Sequence, residues 1–262
     1  AGVAYQTDRE FLAAELGFSK ISANSMDAVS DRDFVLEFLA AASVCMMHFS
    51  RLSEELVLWS SHEFGFIRLS DDFTTGSSIM PQKRNPDFAE LARGKTGRVY
   101  GDLIGLLTTL KGLPLTYNRD MQEDKEGFFD AADTLTTTLD VFQAMLPGMQ
   151  LNEERVSSLA SESQMLATDL ADYLVGKGMP FREAHGIIRQ LSLHCDSLEI
   201  GLQDLPMMEY QKFSVLFEDA VYEITAESSA AARDNPGGTA PSRVTAALAE
   251  AKKLLEVAGH GF

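Results

Sequence analysis

The sequence predicts an all-α protein, a long antiparallel helix bundle followed by a small C-terminal α-helical domain. Apolar residues recur at alternating spacings of three and four over three long stretches, which is the period of helices that pack side by side. Short connections between these stretches favour antiparallel neighbours. Beyond Pro147 the helical patterns become shorter, and no stretch has a convincing strand pattern. We therefore expect a central bundle at residues 1–147 and a helical domain at residues 148–262.

The chain begins with a short amphipathic helix at residues 8–16, for which Gly17 is the predicted stop. Residues 21–29 are polar and irregular, and this composition predicts a loop. Ser30 and Asp33 then form a pattern typical of a capping box. This pattern predicts the start of the first long helix.

The first long helix is predicted from residue 31 to about residue 61, a length of roughly 45 Å. Its seam is made of Val35, Phe38, Ala42, Cys45, Phe49, Leu52, Leu56 and Trp59. So long a seam is rarely needed in one small domain, which indicates a rod within a larger bundle.

The second long helix is predicted at residues 86–111, with Asn85 as its N-cap and Pro86 as its first residue. Lys95 interrupts its seam. Glycines recur along it and predict the close approach of a neighbouring helix: Gly94, Gly97, Gly101 and Gly105. The third helix is predicted at residues 121–146, with a seam of Phe128, Ala132, Leu135, Leu139, Phe142 and Leu146. Apolar residues away from these seams predict burial against other chains, and hence a homo-oligomer.

The C-terminal domain is predicted to consist of short helices. Asn152 would cap the first, and Gly237-Gly238 would form the turn before the last. The others are expected at residues 168–177, 181–197, 206–213, 218–226 and 241–258.

Composition restricts the class of partner. The formal net charge of −17 over 262 residues argues against nucleic acid or an anionic membrane, although local cations still permit an anionic metabolite. The longest charge-free stretch, at residues 38–50, is too short to span a bilayer, and no signal segment opens the chain. Cys45 and Cys195 are read as reduced packing residues of a cytoplasmic protein, and the five histidines lack paired ligand spacing, so no metal site is predicted.

Residues 75–87, TGSSIMPQKRNPD, are called the loop segment here. They combine hydroxyls, Lys83 and Arg84 directly before a helix N-terminus, which is a suitable place to hold an anion. A serine there could act as a base if nearby charges stabilise its alkoxide, and Lys83 and Asn85 suit a carboxylate that gains charge in a transition state. The alternative is an ordinary polar linker.

Residues 116–127, TYNRDMQEDKEG, form a second polar cluster, called the turn segment here. It precedes the third long helix and would therefore lie at the far end of the bundle from the loop segment. A site that used both would need loops from different subunits. The alternative is a solvated, charge-rich helix start.

The loop segment closely resembles the signature of the fumarase/aspartase superfamily, GSSxMPxKxN, at every fixed position. The turn segment and residues 24–34, NSMDAVSDRDF, are similar to the argininosuccinate lyases within that superfamily. Residues 166–185, LATDLADYLVGKGMPFREAH, and the Gly237-Gly238 turn extend the resemblance over essentially the whole chain.

This resemblance implies a lyase that cleaves argininosuccinate to arginine and fumarate by β-elimination, without a metal or organic cofactor. It implies a cytoplasmic homotetramer with active sites shared between subunits, and arginine biosynthesis or the urea cycle as the setting. By motif position Ser77 matches the catalytic serine, which we favour as base rather than acid. Arg32 is expected near the site. The remaining matches are to the aci-carboxylate ligands Lys83 and Asn85, to the histidine-pairing Glu90, and to the substrate-binding Tyr117, Gln122 and Lys125.

The sequence also departs from the family pattern. None of its histidines lies in the family's catalytic-histidine motif, which belongs upstream of the region that matches Ala1. We therefore expect a C-terminal portion that lacks the N-terminal domain and is inactive alone, with a loop segment that is open or disordered. The alternatives are another superfamily lyase (adenylosuccinate lyase, aspartase or fumarase), a crystallin-like structural protein on the same scaffold, or a non-enzymatic helical interaction module.

Overall fold

The computed structural model describes residues 2–76, 79–80, 83–161 and 163–258. Within this part the chain forms eleven α-helices and two short antiparallel strand pairs, which confirms the all-α prediction. The helices are α1 Arg9–Glu15, α2 Ser25–Ser30, α3 Asp33–Ser60, α4 Asp87–Leu110, α5 Glu126–Met145, α6 Glu153–Ala160, α7 Ala167–Gly176, α8 Phe181–Leu198, α9 Met207–Phe213, α10 Ala226–Ala232 and α11 Pro241–Ala258. The strands are β1 Ile67–Arg68, β2 Thr75–Gly76, β3 Arg84–Asn85 and β4 Gln150–Leu151.

Two compact units divide the chain, Ala1–Asn152 and Glu153–Phe262. In the first unit α3 packs along α4, and α5 packs against both. The small β1–β4 pair joins the segment after α3 to the segment after α5, with Ile67 opposite Leu151. The three long helices are therefore held together at their sides and at one end.

The buried face of each long helix differs from the predicted seam. In α3 it runs through Val35, Leu39, Ala42, Met46, Ser53 and Leu56, whereas the predicted Phe38, Cys45 and Leu52 are half-buried. In α5 the buried face is Ala131, Thr134, Thr138, Phe142 and Met145, and the predicted Leu139 is 43% exposed. Small side chains let helix axes approach closely. The half-buried Phe38 and Leu52 consequently flank a contact that Leu39, Leu56 and Phe142 fill together with small residues.

The helix starts correct two further predictions. Residues 21–29 are not simply a loop, because Asn24 caps α2 by accepting hydrogen bonds from the backbone N–H groups of Met26 and Asp27. The N-cap position of α3 is Arg32, not Ser30, and it makes no side-chain capping bond; the Asp31 carboxylate accepts from the Asp33 N–H at 2.7 Å. These short polar side chains compete for the same free N–H groups, so position decides which one caps.

The glycines of α4 do not mediate a close contact within this chain. A Cβ built on Gly94, Gly97, Gly101 or Gly105 meets no heavy atom within 4 Å. By contrast, a Cβ on Gly127 of α5 would lie 3.3 Å from Asp102 Oδ1. Glycine therefore permits the close approach of α4 and α5 at residue 127, and the four-glycine stripe faces outward in the described structure.

Helix α3 also has the length and composition of a membrane-crossing helix, with a window of mean hydropathy 1.4. Core helices of globular proteins share these properties, and 28% of that window is buried inside this chain. The packing of α3 against α4 and α5 accounts for part of its apolar character.

The second unit is built around α7, α8 and α9. Its core encloses Leu174, Leu191, Leu205, Tyr210 and Phe217, each at most 1% exposed. The buried hydroxyl of Tyr210 donates to the Leu202 carbonyl at 2.6 Å, which satisfies its only polar atom. The core of this unit thus contains large side chains that are fully enclosed by the unit itself.

One helix of this unit is placed wrongly by the sequence. The predicted helix at residues 218–226 is a 3₁₀ turn, Asp219–Glu223, and α10 follows it from Ala226. Thr225 begins α10 with a complete capping box to Ser228, at hydrogen-bond distances of 3.2 and 2.9 Å. The Thr225 cap starts a new helix and interrupts the apolar pattern that seemed to run through residue 226.

Candidate active site

The loop segment is anchored by a two-residue strand pair. β2 and β3 pair antiparallel with Thr75 opposite Asn85 and Gly76 opposite Arg84. The predicted catalytic Ser77 lies outside the described residues, as do Ser78, Pro81 and Gln82. The expectation of an open or disordered loop concerns the same residues and stays an expectation. The strand pair holds together the residues that directly flank segment 77–83 in the chain.

Asn85 belongs to β3 and is not the N-cap of α4. The N-cap position is Pro86, which makes no side-chain capping bond, and α4 starts at Asp87. The Thr75 hydroxyl donates to the Asp87 carboxylate, which joins the loop segment to the first turn of α4. The N-cap position of α4 therefore lies one residue later than predicted, because Asn85 pairs within β3.

Cations and anions alternate around this helix start. Lys83 is exposed, and Arg84 donates to Asp71 at 3.1 Å in an ion pair whose side chains are 48% and 62% exposed. Glu90 is exposed in the first turn of α4. The unbonded N–H groups and dipole of a helix start favour an anion there. Lys83 adds a positive charge that is open to solvent.

The turn segment has a buried side and an exposed side. Its 3₁₀ helix, Arg119–Asp124, buries Met121 and Asp124, whereas Gln122 and Lys125 are exposed. Tyr117 is 49% exposed. Just before it, Thr116 has a φ of +73°, a strained conformation for a β-branched residue, and its N–H donates to the Met26 carbonyl at 3.3 Å. The backbone before Tyr117 is therefore tied to α2.

Asp124 links the turn segment to the start of α3. Its carboxylate accepts from Arg32 Nε at 2.5 Å and from Lys125 Nζ at 2.8 Å. Burial by itself would raise the pKa of Asp124, but the hydrogen bonds and charges of Lys125 and Arg32 outweigh it and lower that pKa. Sequence reasoning placed Arg32 near the site but missed Asp124. No local pattern signals Asp124, because its partner Arg32 lies 92 residues earlier in the chain.

A second carboxyl near this end behaves in the opposite way. Burial raises the pKa of Asp102, and the neighbouring charge of Asp130 raises it further. One carboxylate oxygen of Asp102 is buried without a hydrogen-bond partner in the described structure. Arg98 pairs with Asp130 rather than with Asp102. Asp102 is thus a destabilised carboxylate at the α4–α5 contact.

A cleft of 290 Å³ opens beside the turn segment. Polar residues from the end of α2 and the start of α3 line one part of it, and apolar residues, most of them between the end of α4 and the 3₁₀ helix, line the other. The lining includes Asp27, Ser30, Arg32, Leu110, Pro114 and Met121. A search of the described residues finds no group of histidine, cysteine or acidic side chains suited to a metal ion.

The structure does not bring the two groups of candidate residues together within the chain. Lys83, Asn85 and Glu90 lie at the N-terminal end of α4, and Tyr117, Gln122 and Lys125 lie beyond its C-terminal end. The 24 residues of α4 span roughly 36 Å. One small molecule cannot contact both ends of such a helix.

Two family models match the chain, a lyase family over residues 1–101 and an argininosuccinate lyase C-terminal family over residues 164–231. An argininosuccinate lyase of Dehalococcoides mccartyi is 55% identical over 259 residues, which are 99% of this chain and 56% of that protein. An argininosuccinate lyase of Symbiobacterium thermophilum is 56% identical over 256 residues, 97% of this chain and 56% of that protein. The chain therefore spans little more than half the length of these curated relatives.

Two solved structures superpose on this chain. An EDDS lyase variant with bound fumarate superposes with a TM-score of 0.81 and 27% identity, over 98% of this chain and 53% of that one. A class II fumarase from Schistosoma mansoni superposes with a TM-score of 0.64 and 21% identity, over 78% of this chain and 40% of that one. The second likeness concerns the fold alone.

Proposed function

We propose that this chain, which is about 55% identical to argininosuccinate lyases, belongs to that family and supplies part of an enzyme that cleaves argininosuccinate to arginine and fumarate. The observation that carries the proposal is identity of about 55% to argininosuccinate lyases over nearly the whole chain. Arginine formation places the reaction in arginine biosynthesis or the urea cycle, in the cytoplasm. The proposed mechanism needs no cofactor, nucleic acid or membrane.

The chemistry that we assign is a β-elimination. Ser77 takes the proton from the carbon next to a substrate carboxylate, and the electron pair moves into that carboxylate to form an aci-carboxylate. Expulsion of the guanidino nitrogen then gives fumarate and, after protonation of the nitrogen, arginine. A proton next to a carboxylate is weakly acidic, so stabilisation of the developing charge must lower much of the barrier. Lys83 and Asn85, beside the N-terminus of α4, are suited to that task.

The substrate is held, in this proposal, by the turn segments of other subunits. Tyr117, Gln122 and Lys125 expose polar groups at the far end of α4, and the length of that helix separates them from Lys83 within one chain. A homotetramer with shared sites would bring the two ends together. The exposed apolar side chains of the long helices support burial against other copies: Val44, Leu91, Tyr100, Ile104 and Leu107 are 40–59% exposed.

We further propose that residues 1–262 alone are inactive. The motif that pairs a histidine with Glu90 is absent from the sequence, whose histidines are His48, His62, His185, His194 and His260. The curated relatives contain almost as much additional length as this chain matches. Residues from that additional length would complete the site.

The first experiment replaces Ser77 in the complete natural polypeptide that contains this chain. Ser77→Ala should lower turnover of argininosuccinate, followed by the absorbance of fumarate, by roughly 10²- to 10⁴-fold, the contribution typical of a general base. Ser78→Ala is the matched control and should change turnover by less than about tenfold. Unchanged turnover in Ser77→Ala would contradict the proposed role of Ser77. Absence of turnover in the unsubstituted protein would instead favour a non-enzymatic helical module or a crystallin-like protein.

A second candidate is a related carbon–nitrogen lyase with another amino acid substrate. The superposition on EDDS lyase over 98% of the chain favours it, although the identity is 27% against about 55% for argininosuccinate lyases. A panel of argininosuccinate, adenylosuccinate, aspartate and ethylenediaminedisuccinate, tested on the same protein, separates these activities. Preference for any substrate other than argininosuccinate would replace the proposed function.

A further inference from the structure

Asp124 is a buried charge next to exposed polar residues of the turn segment. Its side chain is 4% exposed, whereas that of Lys125 is 66% exposed. Both of its carboxylate oxygens are used, Oδ2 by Arg32 and Oδ1 by Lys125. A charged side chain that is this deeply buried is normally paired with an opposite charge, because burial of an unpaired charge is costly.

Arg32 fixes the carboxylate from the inner side. The guanidinium is 16% exposed, and besides Asp124 it donates to the carbonyls of Asp31 at 2.6 Å and Val29 at 3.4 Å. These carbonyls belong to the end of α2 and the residue that follows it. A planar guanidinium with several fixed donors sets the orientation of its partner more tightly than an ammonium does. The position of Asp124 is consequently determined by the α2–α3 junction.

The geometry of the 3₁₀ helix also restricts the exposed residues of the turn segment. With three residues per turn, side chains three apart are aligned. Met121 and Asp124 share the buried side, where Met121 is 0% exposed. Gln122 on this helix and Lys125, the residue directly after it, are exposed. The two buried anchors therefore fix the backbone that carries the two candidate substrate-binding side chains.

We propose that Asp124 is a positioning residue of the active site: held by Arg32, its carboxylate fixes the Lys125 ammonium and orients Lys125 and Gln122 toward the substrate. The ammonium has three donors and uses one for Asp124, which leaves two for a ligand. This inference rests on the proposed function, because only a substrate gives Lys125 and Gln122 something to bind. It adds a residue that does not itself contact the substrate.

The test compares Asp124→Asn with Asp120→Asn in the complete natural polypeptide. Asp120 lies on the same 3₁₀ helix but is exposed, so its replacement removes the same charge without the buried contacts. Asp124→Asn should raise the KM for argininosuccinate by about 10- to 100-fold, with a smaller change in kcat, because a misplaced binding group costs affinity first. Asp120→Asn should stay within about twofold. Equal KM values in the two variants would overturn the inference.

A folding defect is separated from a positioning defect by a second variant. Arg32→Met/Asp124→Asn removes both buried charges, so neither charge is left unpaired and the fold is preserved. If positioning is the role of Asp124, this double variant keeps the raised KM although its unfolding transition is normal. A double variant with a normal KM would show that Asp124 acts only on stability.

A measurement without substrate distinguishes failure of this inference from failure of the proposed function. In ¹⁵N spectra of the lysine ammonium groups, the Lys125 signal should be immobilised in the unsubstituted protein and in Asp120→Asn, and mobile in Asp124→Asn. If no substrate is turned over but this difference is seen, the lyase proposal fails and the positioning geometry stands. If turnover is seen while Lys125 is equally mobile in all three proteins, the positioning inference fails alone.

Discussion

The two ends of α4 carry the two groups of candidate site residues, and they are stabilised in different ways. At the N-terminal end the loop segment is held by one two-residue strand pair and by ion pairs open to solvent, such as Arg84–Asp71. At the C-terminal end the turn segment is held by the buried Met121 and by the enclosed Arg32–Asp124 pair. Among the described residues, the contacts given for the first end are exposed to solvent, whereas those of the second end include buried ones.

This difference matches the tasks proposed for the two ends. The first end is proposed to supply the base and the groups that stabilise developing charge, and Lys83 there is exposed to solvent. A segment that orients a substrate must keep its geometry before the substrate arrives. The free energy of unfolding, its dependence on pH and the association of subunits each test this comparison.

The largest expected effect comes from removing one cation at each end. Arg32→Met leaves the Asp124 carboxylate buried with only Lys125, so the free energy of unfolding of the first unit should fall by about 3–5 kcal/mol. Arg84→Met removes an exposed pair and should cost less than about 1 kcal/mol. Urea denaturation of the 262-residue chain, followed by circular dichroism, measures both values.

The outcome that would contradict the comparison is a similar loss in the two variants. Unfolding of the second unit gives an internal control, because its core of Leu174, Leu191 and Phe217 contains neither arginine. A loss that appeared only in the transition of the second unit would mean that Arg32 does not stabilise the turn segment.

The sequence predicted helix positions much better than it predicted contacts. The bounds of α3 and α4 were right to within a few residues, because alternating three- and four-residue spacings are a strong helical signal. The buried face was offset from the seam, because periodicity locates an apolar stripe but not the partner that covers it. Small or polar residues such as Ala131, Thr134 and Thr138 carry little hydrophobic signal, yet they are buried.

Only those residues of the candidate site that lie in recognisable sequence motifs could be predicted. Lys83, Asn85, Gln122 and Lys125 follow from similarity of short segments, and their roles stay predictions. Asp124 depends on a contact with Arg32, 92 residues earlier in the chain, which no local pattern contains. The proposed division at residue 147 likewise stays a prediction, because the end of a helical pattern does not determine how many following residues pack with it.

An intermediate effect is expected from Asp102, close to the rigid end of α4. Its pKa is raised by burial and by Asp130, so the ionised form is less favourable in the folded state than in the unfolded state. Above its folded pKa this penalty is fully present, and it disappears as the pH falls toward the unfolded value of about 3.9. Asp102→Asn should therefore stabilise the first unit at pH 7 by up to about 1 kcal/mol, with Arg98 still paired to Asp130.

Denaturation at pH 7 and at pH 3.5 checks the sign of this effect. The gain should be present at neutral pH and absent in acid. Asp124 has the opposite sign, since its pKa is lowered: the stability it contributes is present above the unfolded value and is lost as the pH falls through the folded value. A stabilisation by Asp102→Asn that grew on acidification would contradict the raised pKa of Asp102.

The smallest expected effect concerns the glycine stripe between the two ends. A Cβ on Gly97 meets nothing within 4 Å in this chain, so Gly97→Ala should raise the free energy of unfolding of the isolated first unit by about 0.5–1 kcal/mol through helix propensity. In a tetramer whose neighbouring helix lies against the stripe, the same methyl group would weaken association. Sedimentation at micromolar concentration should then show more dissociated protein than for Gly178→Asn, a control at a left-handed helix end with a φ of +96°. If Gly97→Ala stabilises the chain and leaves association unchanged, the stripe is not the contact surface, and the two ends of α4 must be brought together through another face.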